Sequence, residues 1–168
     1  MSLILSIDAS TSATGWAVFD GSQLVESGVI KAKGSFLERA LVMASELRKV
    51  QLRTIKELEK TFESIVIEKN NVGGVNQQSV IKIGIATGII LGKLIADDVY
   101  FVNVSTWRKY SAIKGRGKKE LKQQAISLVS QLYQKQVKDD EADAIMIGRY
   151  FVEMIDFKDG LESHRLSR

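Results

Sequence analysis

The sequence predicts an α/β fold in which helices flank a mixed five-stranded sheet. Three apolar runs separated by glycine-containing turns open the chain, which indicates an antiparallel meander. Helix-like and strand-like segments alternate after them, as in sheets whose strands are joined by crossover helices. A length of 168 residues suits one compact domain. Together these observations indicate a single mixed sheet.

The first three strands follow from hydrophobicity and turn signals. LILSIDAS, from Leu3, is a nearly continuous apolar run, which is typical of a strand buried on both faces. TGWAVFD, from Thr14, and QLVESGVIKA, from Gln23, follow across the turns ATG and DGSQ. We therefore predict that these strands form the antiparallel part of the sheet.

The middle of the chain alternates helix and strand. Apolar residues at helical spacing predict a long amphipathic helix over about 37–58. The strand SIVIEKN starts at Ser64, and after the loop NVGGVNQQ a second helix is predicted to run to about Ala96. VYFVNVS, from Val99, is the fifth predicted strand.

The last third of the chain is predicted to be mainly helical. Helices over about 118–133 and 140–155 complete a single domain that we place at residues 1–156. A short polar tail over 157–168 contains His164, the single histidine of the chain. We expect this histidine to be exposed, so a Ser-His-Asp catalytic site is not expected.

Composition excludes several classes of protein. The chain has no cysteine, which excludes a disulfide scaffold, a thiolate zinc site and thiol catalysis. The first residues carry no basic region before their apolar run and do not resemble a signal peptide. The longest apolar helical run, Ile83 to Leu94, is too short to span a bilayer. We expect no membrane association and a cytoplasmic location.

Positive charge is concentrated in one segment. Seven Lys and Arg side chains lie between Trp107 and Lys122, together with the single acid Glu120. Such a cluster suggests an anionic partner, and the flexible KGRGKK favours that interpretation over a merely solvated helix face. The nearby Trp107 and Tyr110 favour it too, because we expect them to be stacking or phosphate-contacting groups. We predict that five of these cations bind DNA: Lys109, Lys114, Arg116, Lys118 and Lys119.

Acidic side chains fall at the ends of predicted core elements. Asp8 lies near the end of the first strand, and Glu68 lies near the end of the fourth. Asp140 and Asp143, within KDDEADAIMIGRY, lie one turn apart at the start of the last helix. The letters D-E-A-D do not mark a helicase motor, because no phosphate-cradling loop accompanies them. One such acid alone is usually a cap or turn residue, whereas four would converge if the first and fourth strands are neighbours.

Converging carboxylates repel each other unless a cation lies among them. Mg²⁺ and Mn²⁺, hard cations with oxygen ligands, suit such a site, and two ions roughly 4 Å apart can clamp the attacking and leaving oxygens of a phosphoryl displacement. The neighbouring Asp139 and Glu141 have no assigned role, and we interpret them either as solvated charges or as charges at a helix N-terminus. We predict that four acids are catalytic and bind two divalent ions: Asp8, Glu68, Asp140 and Asp143.

The order SIDASTSATGWAVFD, IVIEKN and DDEADAIMIG resembles the RuvC-type Holliday junction resolvases of the ribonuclease H-like superfamily, over about residues 3–155. The resemblance implies a ribonuclease H-like fold and a divalent-metal-dependent endonuclease that resolves four-way DNA junctions. The first-strand acid of that family falls on Asp8, its fourth-strand glutamate on Glu68, and its paired acids on Asp140 and Asp143.

The basic residues and one loop extend the resemblance and also limit it. The family's basic residues near the scissile strand fall on Lys109 and Lys119. Many members carry an aromatic wedge about three positions after the fourth-strand glutamate, whereas Asn71 and Val72 stand here in the loop 70–78. This departure indicates a different manner of opening the junction and suits a divergent, phage-encoded branch, which would act in the cytoplasm of its host.

Glycines recur every four residues in the second predicted helix, at Gly84, Gly88 and Gly92, with Ala96 next in the series. Glycine costs about 1 kcal/mol at each helix-interior position, so three of them require a reason. One explanation is close packing against the protein's own sheet. The resemblance implies another, a homodimer interface, which would match a two-fold symmetric junction.

Other functions remain open at this point. IDASTSATGWAVFD also resembles the phosphate-binding hairpin of actin/hexokinase-like ATPases, although these usually need two such domains and more than twice this length. A ribonuclease H acting on RNA–DNA hybrids would use the same metal site. A DNA-binding module without catalysis is disfavoured, because four clustered carboxylates would destabilise a protein that binds no metal.

Overall fold

The computed structural model describes residues 3–69, 76–155 and 166–167. Five of its strands correspond to those predicted: β1 Leu3–Ala9, β2 Ala13–Asp20, β3 Gln23–Lys31, β4 Phe62–Lys69 and β5 Asp98–Asn103. A two-residue strand, β6 Leu166–Ser167, lies within the predicted tail and adds a sixth strand to the five expected. The helices are α1 Phe36–Leu58, α2 Gln77–Lys93, α3 Val104–Tyr110, α4 Lys118–Tyr133 and α5 Asp139–Ile155.

The strands form one mixed sheet in the order β3-β2-β1-β4-β5-β6. β1 pairs antiparallel with β2, and β2 pairs antiparallel with β3, which confirms the predicted meander. β1 pairs in parallel with β4, and β4 pairs in parallel with β5, while β6 is antiparallel to β5. The first and fourth strands are therefore neighbours, as convergence of their acids requires.

Two helical layers cover the two faces of the sheet. Alternate residues of β1 point to opposite faces, and Leu3, Leu5 and Ile7 pack with apolar residues of α1 and α2. Ile4 lies in the other core cluster, with apolar residues of α3, α4 and α5. Asp8 has the parity of Ile4 and therefore belongs to the face that α5 covers.

The start of α3 departs from the prediction. VYFVNVS was expected to be strand throughout, but β5 ends at Asn103 and a seven-residue helix begins at Val104. β-Branched and aromatic residues favour strands, yet this local preference is weak compared with tertiary packing. Here Trp107 is fully buried among the residues of α4 and α5, and a helical turn is what directs it there.

The second helix is shorter than predicted. It ends at Lys93, because Leu94 adopts an extended conformation with φ −87° and ψ 159°. Ala96 lies beyond the helix and is buried against the sheet, so it does not continue the row of glycines.

Candidate active site

The four predicted acids come together at one end of the sheet. Ile7 of β1 is paired with Ile67 of β4, so the next residues along these strands, Asp8 and Glu68, are also neighbours. Both carboxyls lie on the face that α5 covers, and the first turns of α5 carry Asp140 and Asp143. Three separate elements thus supply one acidic cluster.

Electrostatics show that the four carboxylates affect one another. Burial raises the pKa of Asp8 well above its ordinary value, and Glu68, Asp143 and Asp140 each raise it further, while Lys122 lowers it. Burial also raises the pKa of Asp140, which the neighbouring Asp139 raises further. These groups hold excess negative charge that a bound cation would relieve.

A glycine in β2 lets α5 reach the cluster. Gly15 is the partner of Asp8 in the β1–β2 ladder. A Cβ atom at Gly15 would overlap the backbone carbonyl of Asp140, so only glycine leaves room for the first turn of α5. Further along, the Ser6 hydroxyl donates a hydrogen bond of 2.7 Å to the carbonyl oxygen of Ala144. The helix is therefore held by direct contact between its backbone and the sheet.

Asp143 is the most buried of the four acids by solvent exposure, at 6%. Burial raises its pKa to about 7, while the Arg108 guanidinium opposes the rise and Glu68 adds to it. Its Oδ2 atom lies 3.9 Å from Nη2 of Arg108. Its Oδ1 atom is buried and has no hydrogen-bond partner among the residues that the structure describes. A buried carboxylate oxygen without a partner is a free ligand position.

Glu68 is oriented by a tryptophan. Nε1 of Trp107 donates a hydrogen bond of 2.9 Å to Oε2 of Glu68. Burial raises the pKa of Glu68, whereas this hydrogen bond and the charge of Arg108 lower it. Trp107 is 0% exposed, so the expectation that it offers a stacking surface to a partner is wrong. Its place in the core instead fixes one carboxylate of the cluster.

The cations nearest the acids are not the five that the sequence singled out. Arg108 from α3 and Lys122 from α4 both act on Asp143, and Lys31 at the end of β3 acts on Asp140. Nothing in the local sequence distinguishes these three from other cations, because their proximity to the acids comes from three different elements.

The five predicted DNA-binding cations are all exposed and form one continuous region of surface along the chain. Lys109 lies on α3, and Lys118 and Lys119 begin α4, with the loop 111–117 between them. The Gln124 amide fixes this loop: its Oε1 accepts from the backbone N–H of Lys114 at 3.0 Å, and its Nε2 donates to the carbonyl of Lys114 at 2.6 Å. Contact of these side chains with DNA stays a prediction.

The two extra acids lie in the first turn of α5, as one of the two interpretations expected, and Glu141 is mostly shielded from solvent while Asp139 stays partly exposed. Glu141 Oε1 accepts a hydrogen bond of 2.7 Å from the Ser27 hydroxyl and lies 2.8 Å from Nζ of Lys135. Asp139 forms a salt bridge with Lys122. Both acids therefore attach the start of α5 to neighbouring elements, a role that depends on partners remote in sequence.

The donor set fits a divalent cation. Within residues 3–69, 76–155 and 166–167, no group of three or more histidine, cysteine or acidic side chains already stands in a metal-holding arrangement. The four carboxylates nevertheless supply only oxygen ligands, which are those that Mg²⁺ and Mn²⁺ prefer. The buried Oδ1 of Asp143, which has no hydrogen-bond partner among the described residues, is one oxygen that could contact such an ion.

The glycine face of α2 is open. A Cβ atom at Gly84, Gly88 or Gly92 would meet no atom of the described residues within 4 Å, so packing against the protein's own sheet does not explain these glycines. Ile81 and Ile85 on the same helix are 60% and 44% exposed. The face is therefore an apolar surface with little side-chain bulk.

The loop residues Asn71 and Val72, and His164, lie outside the described residues.

Two kinds of comparison relate this chain to known proteins. A family model described as Lactococcus phage M3 protein (DUF3882) matches residues 1–153. No curated protein matches the sequence. None of the described helices is long and apolar enough to cross a membrane.

Solved structures of RuvC share the fold over nearly the whole chain. RuvC of Thermus thermophilus in complex with a Holliday junction substrate is 16% identical with a TM-score of 0.69, and the match covers 99% of this chain and 100% of that one. A second Thermus thermophilus RuvC structure is 17% identical with a TM-score of 0.66, at 98% and 99% coverage. The yeast mitochondrial Holliday junction resolvase Ydc2 is 12% identical with a TM-score of 0.51, at 92% and 84% coverage. The predicted ribonuclease H-like fold is thereby confirmed.

Proposed function

Because this chain belongs to the family described as Lactococcus phage M3 protein and has the fold of RuvC, we propose that it is a divalent-metal-dependent endonuclease that resolves four-way DNA junctions. One observation carries the proposal: Asp8, Glu68, Asp140 and Asp143 converge from three elements, and their burial and mutual repulsion leave the cluster short of positive charge. The family's phage description fits a phage-encoded enzyme that works in the cytoplasm of its host.

The four carboxylates would hold two Mg²⁺ or Mn²⁺ ions. When bound, these ions supply an activated water and stabilise the leaving oxygen of the phosphodiester. The chain contributes the placement: Trp107 holds Glu68 through its indole N–H, and Gly15 allows the backbone of Asp140 to approach the sheet. The cluster is thus preorganised around the position of the ions.

Branched DNA is the substrate that the rest of the molecule supports. The exposed cations from Lys109 to Lys119 offer a basic surface next to the acid-bearing elements, as phosphate contacts require. A four-way junction has two-fold symmetry, and two strands are cut when two identical sites face it. We propose that the open glycine face of α2 joins two copies of the chain for this purpose.

A substrate panel tests the function. The protein is incubated with Mg²⁺ or Mn²⁺ and labelled four-way junction, flap, RNA–DNA hybrid or linear duplex, and the junction products are ligated. The proposal expects paired nicks on opposing strands and ligatable duplexes. Cleavage of hybrids but not junctions would favour the ribonuclease H alternative, and nucleotide binding without cleavage would favour the ATPase alternative.

The acid cluster is tested with matched amide variants. Asp8→Asn and Glu68→Gln keep side-chain size but remove charge from the site, so cleavage should fall by several orders of magnitude while junction binding persists. Asp97→Asn removes the same charge from an exposed position outside the cluster and should cut normally. Normal cleavage by Asp8→Asn would refute the metal assignment.

A further inference from the structure

Arg108 stands at the acid cluster with its hydrogen-bonding capacity unused. Its Nη2 atom lies 3.9 Å from Asp143 Oδ2, which is within ion-pair range but too long for a hydrogen bond. Its Nε atom is buried without an acceptor among the described residues. A guanidinium carries five N–H donors, and leaving them unpaired in a partly buried site is unfavourable.

The position of this guanidinium is nevertheless well defined. Its central carbon lies over the ring of Trp107, 5.1 Å from the ring centroid, in a cation–π contact that restricts where the group can lie. Trp107 is in turn fully buried and bonded to Glu68. The side chain of Arg108 remains 26% exposed, so part of it can be reached from solvent. The charge of Asp143 and the stacking on Trp107 hold the Arg108 guanidinium at the edge of the site, where its Nε–H has no acceptor among the described residues.

We infer that Arg108 is a further catalytic residue, which binds the non-bridging oxygens of the phosphodiester held at the acid cluster. The inference rests on the proposed function. An anionic phosphate entering among four carboxylates needs a cation at the point of contact, and a planar guanidinium can donate two parallel hydrogen bonds to such an oxyanion. The more exposed lysines of α3 and α4 can hold the DNA backbone elsewhere, but the stacking on Trp107 ties Arg108 to the site itself.

A counter-ion role for Arg108 is the simpler alternative to phosphate binding. Arg108 lowers the pKa of Asp143 and of Glu68, so it could serve only as their counter-ion. Removing the Asp143 charge abolishes the ion pair and, under the proposed function, cleavage as well. Arg108 still acts on Glu68 in that protein, so a contact with DNA is reported by the affinity that Arg108→Lys, which keeps the charge, fails to recover.

The experiment measures junction affinity and its salt dependence in the Asp143→Asn protein. Adding Arg108→Gln should weaken binding by about tenfold, because a charge-assisted hydrogen-bond pair is lost. It should also reduce the slope of log affinity against log salt by about 1, since one phosphate contact disappears. Arg108→Lys should keep the slope but recover only part of the affinity, because lysine lacks the planar fork.

The control removes an equal charge elsewhere. Arg53 lies on α1 and is salt-bridged to Glu26 of β3, and Arg53→Gln in the same background should leave affinity and slope unchanged. Thermal unfolding identifies any variant that fails to fold. If Arg108→Gln does not fold, Arg108→Lys still tests the inference. Equal binding with and without Arg108→Gln would overturn the inference while leaving the proposed function intact. A wild-type protein that does not bind junctions would refute both.

Discussion

The backbone carbonyl of Asp140 occupies the space in which a side chain on Gly15 would stand. Gly15 is also the ladder partner of Asp8, so the same residue lies between two acids of the cluster. The distance from the first strand to the last helix is therefore set by a missing side chain. This contact is the basis of the first prediction.

Gly15→Ala should displace the start of α5 and separate Asp140 and Asp143 from the two strand acids. Overpacking of this kind costs about 1–3 kcal/mol of stability, and a displacement near 1 Å can lower cleavage by roughly 100-fold. Gly117→Ala adds the same methyl group in open space, at a backbone φ of −115° that any residue adopts, and should leave cleavage intact. Urea unfolding and junction cleavage measure the two effects, and a fully active Gly15→Ala protein would show that the contact is unimportant.

Metal-free protein should lose stability as the pH rises from about 4 to about 7. The pKa of Asp143 is raised to about 7 in the folded protein, so the folded state keeps its proton where the unfolded chain, with a pKa near 3.9, has already lost it. The free energy of unfolding should fall by about 4 kcal/mol in total, and the fall should level off above the pKa of the folded state. Urea unfolding in EDTA at pH 5 and pH 8 measures it.

Asp143→Asn removes the titrating group and supplies the control for this pH dependence. The variant should be more stable than the wild type at pH 8 and should show a flatter dependence, with the remainder due to Asp8, Glu68 and Asp140, whose pKa values are also raised. Mg²⁺ should recover stability in the wild type at pH 8 more than in the variant. Parallel curves for the two proteins would contradict the assignment of this effect to Asp143.

Trp107→Phe should impair cleavage without impairing junction binding. Phenylalanine fills most of the buried volume but cannot donate to Glu68, and the loss of a hydrogen bond to a charged group costs about 1.5–3 kcal/mol, or at least tenfold in rate if it acts in the transition state. Trp16→Phe makes the same change on the opposite face of the sheet and should leave the rate unchanged. A variant that cuts at the normal rate would show that cleavage does not need the hydrogen bond to Glu68.

Gly88→Leu should produce a folded monomer. A Cβ atom at Gly88 meets no atom of the described residues within 4 Å, so the fold should tolerate the substitution, whereas a second copy could no longer approach α2 closely. Light scattering gives the mass and circular dichroism gives the fold. Gly88→Ala, which adds only one methyl group, should weaken the dimer less. A folded Gly88→Leu dimer would place the interface elsewhere.

Binding should weaken linearly with the logarithm of salt concentration if the exposed cations contact phosphates. Replacing Lys114 and Lys118 by Gln should reduce the slope by about 2, by the same counterion-release argument. Lys49→Gln with Lys56→Gln on α1 is the matched control, because both sites lie outside the basic segment. An unchanged slope in the first double variant would return the segment to the interpretation of a solvated surface.

The sequence by itself was sufficient for the order of the first five strands and the four long helices, and for the positions of the acids along them. Apolar residues recur with period two in half-buried strands and with period 3.6 in amphipathic helices, because one face of each element is buried. Most of this sheet and its long helices are buried in this way, so the pattern predicts them. Asp8 and Glu68 could be recognised because a charge near the end of an apolar strand breaks that pattern. The local pattern failed at Val104, where strand-forming residues became α3 because Trp107 had a core to enter.

Contacts between distant parts of the chain were decided only by the tertiary structure. The basic segment attracted attention to its exposed lysines, whereas Arg108 and Lys122 are the members that act on the acids. Glu141 looked like a solvated charge until Ser27 and Lys135 were found beside it. Side-chain direction and the packing of one element on another determine such pairs. Neither side-chain direction nor the packing of elements produces a periodic pattern in the sequence. For the same reason, the sequence could not show whether the glycine face of α2 is open or buried.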